Sequence, residues 1–78
     1  MSLTIKYFGM LAEVTKCNEE LIEVNECTIK ELTSKLLEYH PDLKSKNFKV
    51  AVNQSLVDED ILITSKDEIA LLPPFAGG

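Results

Sequence analysis

Thr28-Ile29-Lys30-Glu31 constrains this chain more than any other stretch. A threonine followed three residues later by a glutamate is a capping box, in which each side chain satisfies a backbone N–H that the first helical turn leaves open. Behind it, Ile29, Leu32, Leu36 and His40 recur at spacings of three and four, with Leu37 beside them. That spacing lays one apolar stripe along a helix. Pro41 closes it, since the residue before a proline avoids the α region. The pattern predicts a helix over 29–39. Met10 to Thr15 is short and mixed, and reads as one helical turn or a loop.

Most of the remaining chain alternates with a period of two. Leu3, Ile5 and Tyr7 alternate with Thr4, Lys6 and Phe8, a strand that Gly9 ends. Glu20 to Val24 is a second strand, with Ile22 and Val24 inward and Glu23 outward, and the two form a wide-looped antiparallel pair. Asp42 to Asn47 reads as a polar connection. Phe48, Val50 and Val52 then alternate with Lys49, Ala51 and Asn53, and Asn53-Gln54 predicts a tight turn into a short strand over 55–57. Asp58-Glu59-Asp60 reads as a loop, Ile61-Leu62-Ile63 as apolar packing beneath the sheet, and 64–67 as a turn. Glu68 to Leu72 is nearly continuous in its apolar character, which predicts a central strand. There is no internal repeat and no low-complexity segment. The predicted architecture is α+β, a mixed sheet with one main helix packed across it. Pairing the first and last strands in parallel gives the β-grasp topology. Residues 1–72 are read as that domain and 73–78 as a flexible, extended C-terminal tail.

Size limits what such a domain can do. A chain of 78 residues is one domain, and it buries only about 60–65% of the surface its unfolded form exposes. Little room remains for an internal active site, which favours a carrier, binding module or subunit. The net charge of −5 argues against nucleic-acid binding and for partners with basic surfaces. The apolar runs are too short to span a membrane, and no signal peptide is read at the N-terminus. Cys17 and Cys27 form no CxxC and the chain has one histidine, so no metal site is expected. A cytoplasmic protein with free thiols is expected. For Cys27 a structural role is favoured over sulfur handling, and for His40 a capping or part-buried role over catalysis. Asp58-Glu59-Asp60 is a solvated loop or a contact for a basic partner.

The chain runs on from Leu72 as Pro73-Pro74-Phe75-Ala76-Gly77-Gly78. The prolines cannot donate to a ladder and hold φ near −65°, which sends the chain off on a semi-rigid course. Fully extended, the six residues reach on the order of 20 Å. Gly77 and Gly78, without side chains, fit a slot too narrow for other residues. A small, mobile chain end is an ordinary thing. A stiffened end with an aromatic residue and a terminal diglycine is less ordinary, and Phe75 calls for a partner to cover it.

With these residues in view, the chain resembles the small-subunit, sulfur-carrier family of molybdopterin synthase. The likeness rests on Lys6-Tyr7-Phe8-Gly9, on Ala51-Val52-Asn53-Gln54-Ser55-Leu56-Val57, and above all on 67–78, ending in Leu71-Leu72-Pro73-Pro74-Phe75-Ala76-Gly77-Gly78. It spans the whole chain. The resemblance implies a ubiquitin-like β-grasp fold and a Gly78 carboxylate adenylated by a ubiquitin-activating-like enzyme that uses ATP and Mg. A persulfide donor then leaves a Gly78 thiocarboxylate. It implies that the large synthase subunit receives the tail, Phe75 to Gly78, supplies the active site, and converts cyclic pyranopterin monophosphate to molybdopterin within a heterotetramer. No cofactor would be bound by this chain. By position in the motif, Phe8, Leu56 and Leu72 correspond to residues that face the large subunit; for Leu56 and Leu72 plain core is the competing reading. The family often has aromatics at Leu71-Leu72 and a glycine at Lys66. The second departure asks the turn to avoid positive φ there. A thiazole-synthesis sulfur carrier and a ubiquitin-like modifier joined to lysines through Gly78 are the alternatives.

Overall fold

The computed structural model describes residues 2–57 and 59–74. Among them are seven strands and two α-helices: β1 (Ser2–Tyr7), α1 (Met10–Thr15), β2 (Glu19–Glu23), β3 (Cys27–Thr28), α2 (Ile29–Tyr39), β4 (Lys49–Val52), β5 (Ser55–Val57), β6 (Leu62–Ile63) and β7 (Glu68–Leu72). The main sheet runs β2-β1-β7-β4-β5. β1 and β7 pair in parallel at its centre, and the other neighbours are antiparallel. One helix crossing a mixed sheet with a parallel central pair is the β-grasp arrangement.

α2 forms where its cap dictates. Thr28 Oγ1 accepts from Glu31 N–H at 3.3 Å, and Glu31 Oε1 accepts from Thr28 N–H at 2.9 Å. Such a cap stabilises a helix by about 1 kcal/mol. Ile29, Leu32 and Leu36 are buried against the sheet, while Leu37 packs at the edge of the core. They meet Leu3, Ile5, Tyr7, Ile22, Val52, Ile69 and Leu71, the inward residues of β1, β2, β4 and β7.

Three segments depart from the sequence reading. The connection after α2 is a 3-10 helix, Pro41–Ser45, and Leu43 within it is fully buried. One apolar residue in a polar stretch has no period to reveal it, but it plugs the core beyond the end of α2. Second, β3 and β6 form a separate two-stranded ladder that pairs Cys27 with Ile63 and Thr28 with Leu62. Such short strands carry no alternation. Third, Leu62 is 57% exposed rather than packed under the sheet, because pairing turns Ile63 inward and Leu62 outward.

The loop before β6 also serves the helix. Lys30 N–H donates to Asp60 Oδ1 at 2.9 Å, so one carboxylate of the acidic run closes a further open donor of α2. Asp58 lies outside the described residues. At Lys66 no positive φ arises; the described non-glycine residues with positive φ are Lys16, Asn53 and Gln54.

Candidate docking face and tail exit

Alternation along the strands divides the sheet into a face under α2 and a face open to solvent. On the open face β1 places Thr4 and Lys6, followed by Phe8, while β7 places Glu68, Ala70 and Leu72. Register then fixes the neighbours. Ala70 stands opposite Ala51 of β4, and Ala51 opposite Leu56 of β5. Lys6 lies beside Ala70 on one flank and opposite Glu19 on the other.

The three residues read from the sequence as partner-facing lie together here. Phe8 is 46% and Leu56 60% exposed, and Leu72 is half-buried. They rim a depression of about 240 Å³ whose floor is Ala51 and Ala70. Lys6 and Glu68 form an ion pair at its side, 3.2 Å apart. Both side chains are more than a third exposed, so the pair adds little to stability.

Two turns hold this face in register. At the β4–β5 turn Asn53 and Gln54 both take positive φ, 52° and 71°, the conformation that suits a two-residue hairpin. The Asn53 side chain then clamps the turn to β7. Its Nδ2 donates to Asp67 Oδ1 at 2.9 Å, and its Oδ1 accepts from Glu68 N–H at 3.0 Å. Asp67 Oδ2 also accepts from Thr64 N–H at 2.8 Å. The backbone donor at Thr64, then the Asn53 amide, hold the Asp67 carboxyl below its ordinary pKa.

The second turn is Gly9, which follows Phe8 at φ 58°, ψ −136°. A Cβ there would stand 3.1 Å from Pro73 Cγ. Phe8 N–H donates to Leu71 O at 3.2 Å. The turn out of β1 is thus packed on the first residue after β7, where the tail begins. Of the tail residues singled out above, Phe75, Ala76, Gly77 and Gly78 lie outside the described residues.

A polar cluster on the other side of β1 escapes sequence reasoning. Tyr7 Oη donates to Glu20 Oε2 at 2.7 Å, and His40 Nε2 lies 2.6 Å from the same oxygen. Because an ionised carboxylate only accepts, the imidazole proton sits on Nε2. The Tyr7 and His40 rings meet edge to face, 5.7 Å between centroids. Cys17 Sγ is 3.6 Å from Glu20 Oε2. Burial would raise the Glu20 pKa, but hydrogen bonds from Tyr7, His40 and Cys17 outweigh it and hold the carboxyl low. Burial, then the Glu20 hydrogen bond, pushes the Tyr7 phenol far above its usual range. The part-buried role expected of His40 is thus a link from the end of α2 to β2. Glu20 and His40 are 20 residues apart, so no local spacing joins them.

A hollow of about 390 Å³ beside α2 takes in Cys27, Glu31, Lys35 and Glu38. Burial, then the Glu31 charge, raises the Cys27 thiol pKa, which disfavours the thiolate. Among the described residues no group of three or more His, Cys, Asp or Glu could hold a metal ion. No described helix is long and apolar enough to cross a membrane.

Known proteins are similar to this chain in sequence and shape over nearly all of their lengths. The chain is 39% identical over 80 residues to the molybdopterin synthase sulfur carrier subunit of Dictyostelium discoideum, covering 95% of this chain and 93% of that protein. It is 32% identical over 84 residues to the sulfur carrier subunit of the same synthase in Chlamydomonas reinhardtii, covering 100% of both. The structure is similar to that of SAMP1 from Haloferax volcanii, at TM-score 0.84 and 27% identity over 100% of both chains. It is also similar to a chain in the protein–protein complex of subunits 1 and 2 of molybdopterin-converting factor from Helicobacter pylori 26695, at TM-score 0.72 and 30% identity over 100% of both. The ThiS family profile matches residues 5–78, and with that match over nearly the whole chain, the protein belongs to the ThiS family.

Proposed function

We propose that this chain is the sulfur carrier subunit of molybdopterin synthase. The observation that carries the reading is its full-length likeness to two sulfur carrier subunits of that synthase. The apolar open face that ends at the tail supports it. A carrier needs a surface for its enzyme and a slender arm that reaches the enzyme's pocket, and Leu72, the last residue of β7, lies on that surface directly before the tail.

The chemistry asks little of the body of this chain. A carboxylate is a poor electrophile until its oxygen becomes a good leaving group. The Gly78 carboxylate attacks the α-phosphorus of ATP on a Mg-dependent activating enzyme and releases pyrophosphate. A persulfide sulfur displaces AMP from the acyl adenylate, and a thiol then cleaves the acyl disulfide to leave the thiocarboxylate. That sulfur is a nucleophile on a tether. Docking of the open face on the large subunit supplies its positioning, and acids, bases and precursor pocket belong to that subunit. Two transfers convert cyclic pyranopterin monophosphate to molybdopterin. The assembly is a heterotetramer in the cytoplasm, two small subunits on a dimer of large ones.

The test is reconstitution. The thiocarboxylated chain, mixed with large subunit and precursor, should yield molybdopterin in proportion to carrier supplied. Absence of product with a fully loaded carrier would count against the reading. A second reading rests on the likeness to SAMP1, another structure of which is described as small archaeal modifier protein 1. On that reading activated Gly78 forms an isopeptide with target lysines. Peptides carrying a Gly-Gly remnant on lysine in cells that express the chain would support it.

A further inference from the structure

The open face is not uniformly bulky. Where β7 and β4 cross its middle, the paired residues are Ala70 and Ala51, the smallest side chains that still hold strand geometry. Around them stand Phe8, Leu56 and Leu72. A flat apolar face could have been made from any row of aliphatic residues; this one has a hole at its centre. Its volume of about 240 Å³ falls below the roughly 300–1,000 Å³ typical of small-molecule sites. Its polar lining is Gln54 of the β4–β5 turn and the Lys6–Glu68 pair, already joined to each other. The hole therefore suits a side chain rather than a metabolite.

The tail identifies whose side chain it is. Leu72 is a rim residue, and Pro73 follows it directly. A protein that accepts the tail must sit over this rim. The described charges of the open face, Glu19, Glu23 and Glu68 against Lys6 and Lys49, lean acidic, as does the chain at −5. A partner with a basic surround is matched to it.

We propose that Ala51 and Ala70 are specificity-determining residues, the floor of a socket that takes one bulky apolar side chain of the large synthase subunit. This rests on the carrier reading above. The partner residue fills the hole as an anchor, the rim excludes water from it, and the size of residue 70 decides whether it can enter. Carriers whose partners bear a different anchor would differ at this floor.

A graded series at one position tests it: Ala70→Ser, Ala70→Val and Ala70→Ile, with affinity for the purified large subunit measured by calorimetry and folding by thermal melts. Val and Ile favour strands, and residue 70 faces the depression on the open side of the sheet, away from the core under α2, so they leave the fold intact. Ala70→Ser should bind within a few-fold of wild type. Ala70→Val should bind more weakly, and Ala70→Ile weaker still, by roughly tenfold or more, at unchanged melting temperature. Should Ala70→Ile melt early, the Ser and Val arms still decide. Equal affinity across the folded series would overturn the socket while leaving the carrier reading intact. Failure of the wild-type chain to bind the large subunit at all would overturn both.

Discussion

Gly9 and Pro73 approach closely: a Cβ at Gly9 would lie 3.1 Å from Pro73 Cγ, tighter than ordinary van der Waals contact. The residue that turns the chain out of β1 thereby supports the residue that leads it out of β7. Gly9→Ala meets both this approach and a positive φ of 58°. The variant should lose about 1–3 kcal/mol of stability, the usual cost of such backbone strain. Urea unfolding of the two proteins measures the difference, and equal midpoints with equal slopes would refute it.

The rim residues should matter to binding and not to folding. Phe8→Asp places a charge at a position 46% exposed and outside the core. It should melt within a few degrees of wild type yet lose at least about 1 kcal/mol of affinity for the large subunit. Leu72→Asp should behave alike in binding, with a larger loss of stability because Leu72 is half-buried. Titration calorimetry beside thermal melts separates the two effects. Undiminished affinity in both variants would remove the open face from the interface.

The Glu20 cluster predicts an acid-dependent stability. The folded-state pKa of Glu20 is held below its ordinary value. Its contribution is therefore present above the unfolded pKa near 4.3 and lost as pH falls through the lower folded value. Glu20→Gln should cost roughly 1.5–3 kcal/mol at pH 7, the worth of hydrogen bonds to a charged group. The gap between variant and wild type should close as pH falls below the carboxylate range. Chemical unfolding across that range reads it, and a gap independent of pH would assign the cluster to packing alone.

Leu43 should prove a core residue despite its polar neighbours. Fully buried in the 3-10 helix after α2, it should cost about 2–5 kcal/mol when cut to alanine. The same denaturant curves measure it. A loss under about 1 kcal/mol would mean the 3-10 turn peels away freely.

How much of this was legible follows from range. The helix is visible because Thr28 and Glu31 cap each other within one turn, and β7 because Ile69 to Leu72 is an unbroken apolar run. The parallel pairing of β1 with β7 is the one that completes the β-grasp topology named from the sequence. Phe8 shows itself by falling out of phase with Leu3, Ile5 and Tyr7. What stayed hidden depends on distant pairing. Leu43 is a single apolar residue with no periodic neighbour, and Cys27 with Ile63 form a ladder too short to alternate. Glu20 and His40 meet only after β2 and α2 have packed. Ala51 and Ala70 look like ordinary strand alanines until register sets them opposite each other.

The central claim, that Gly78 carries sulfur, is tested most directly by intact mass. The chain is incubated with its activating enzyme, ATP, Mg and a persulfide source, alongside a variant lacking Gly78. The account predicts that full-length protein gains the mass of one sulfur replacing one oxygen, localised to Gly78 by fragmentation, while the truncated protein folds and gains nothing. An unchanged mass for the full-length chain under conditions that load another carrier, or an equal gain by the truncated one, would contradict it.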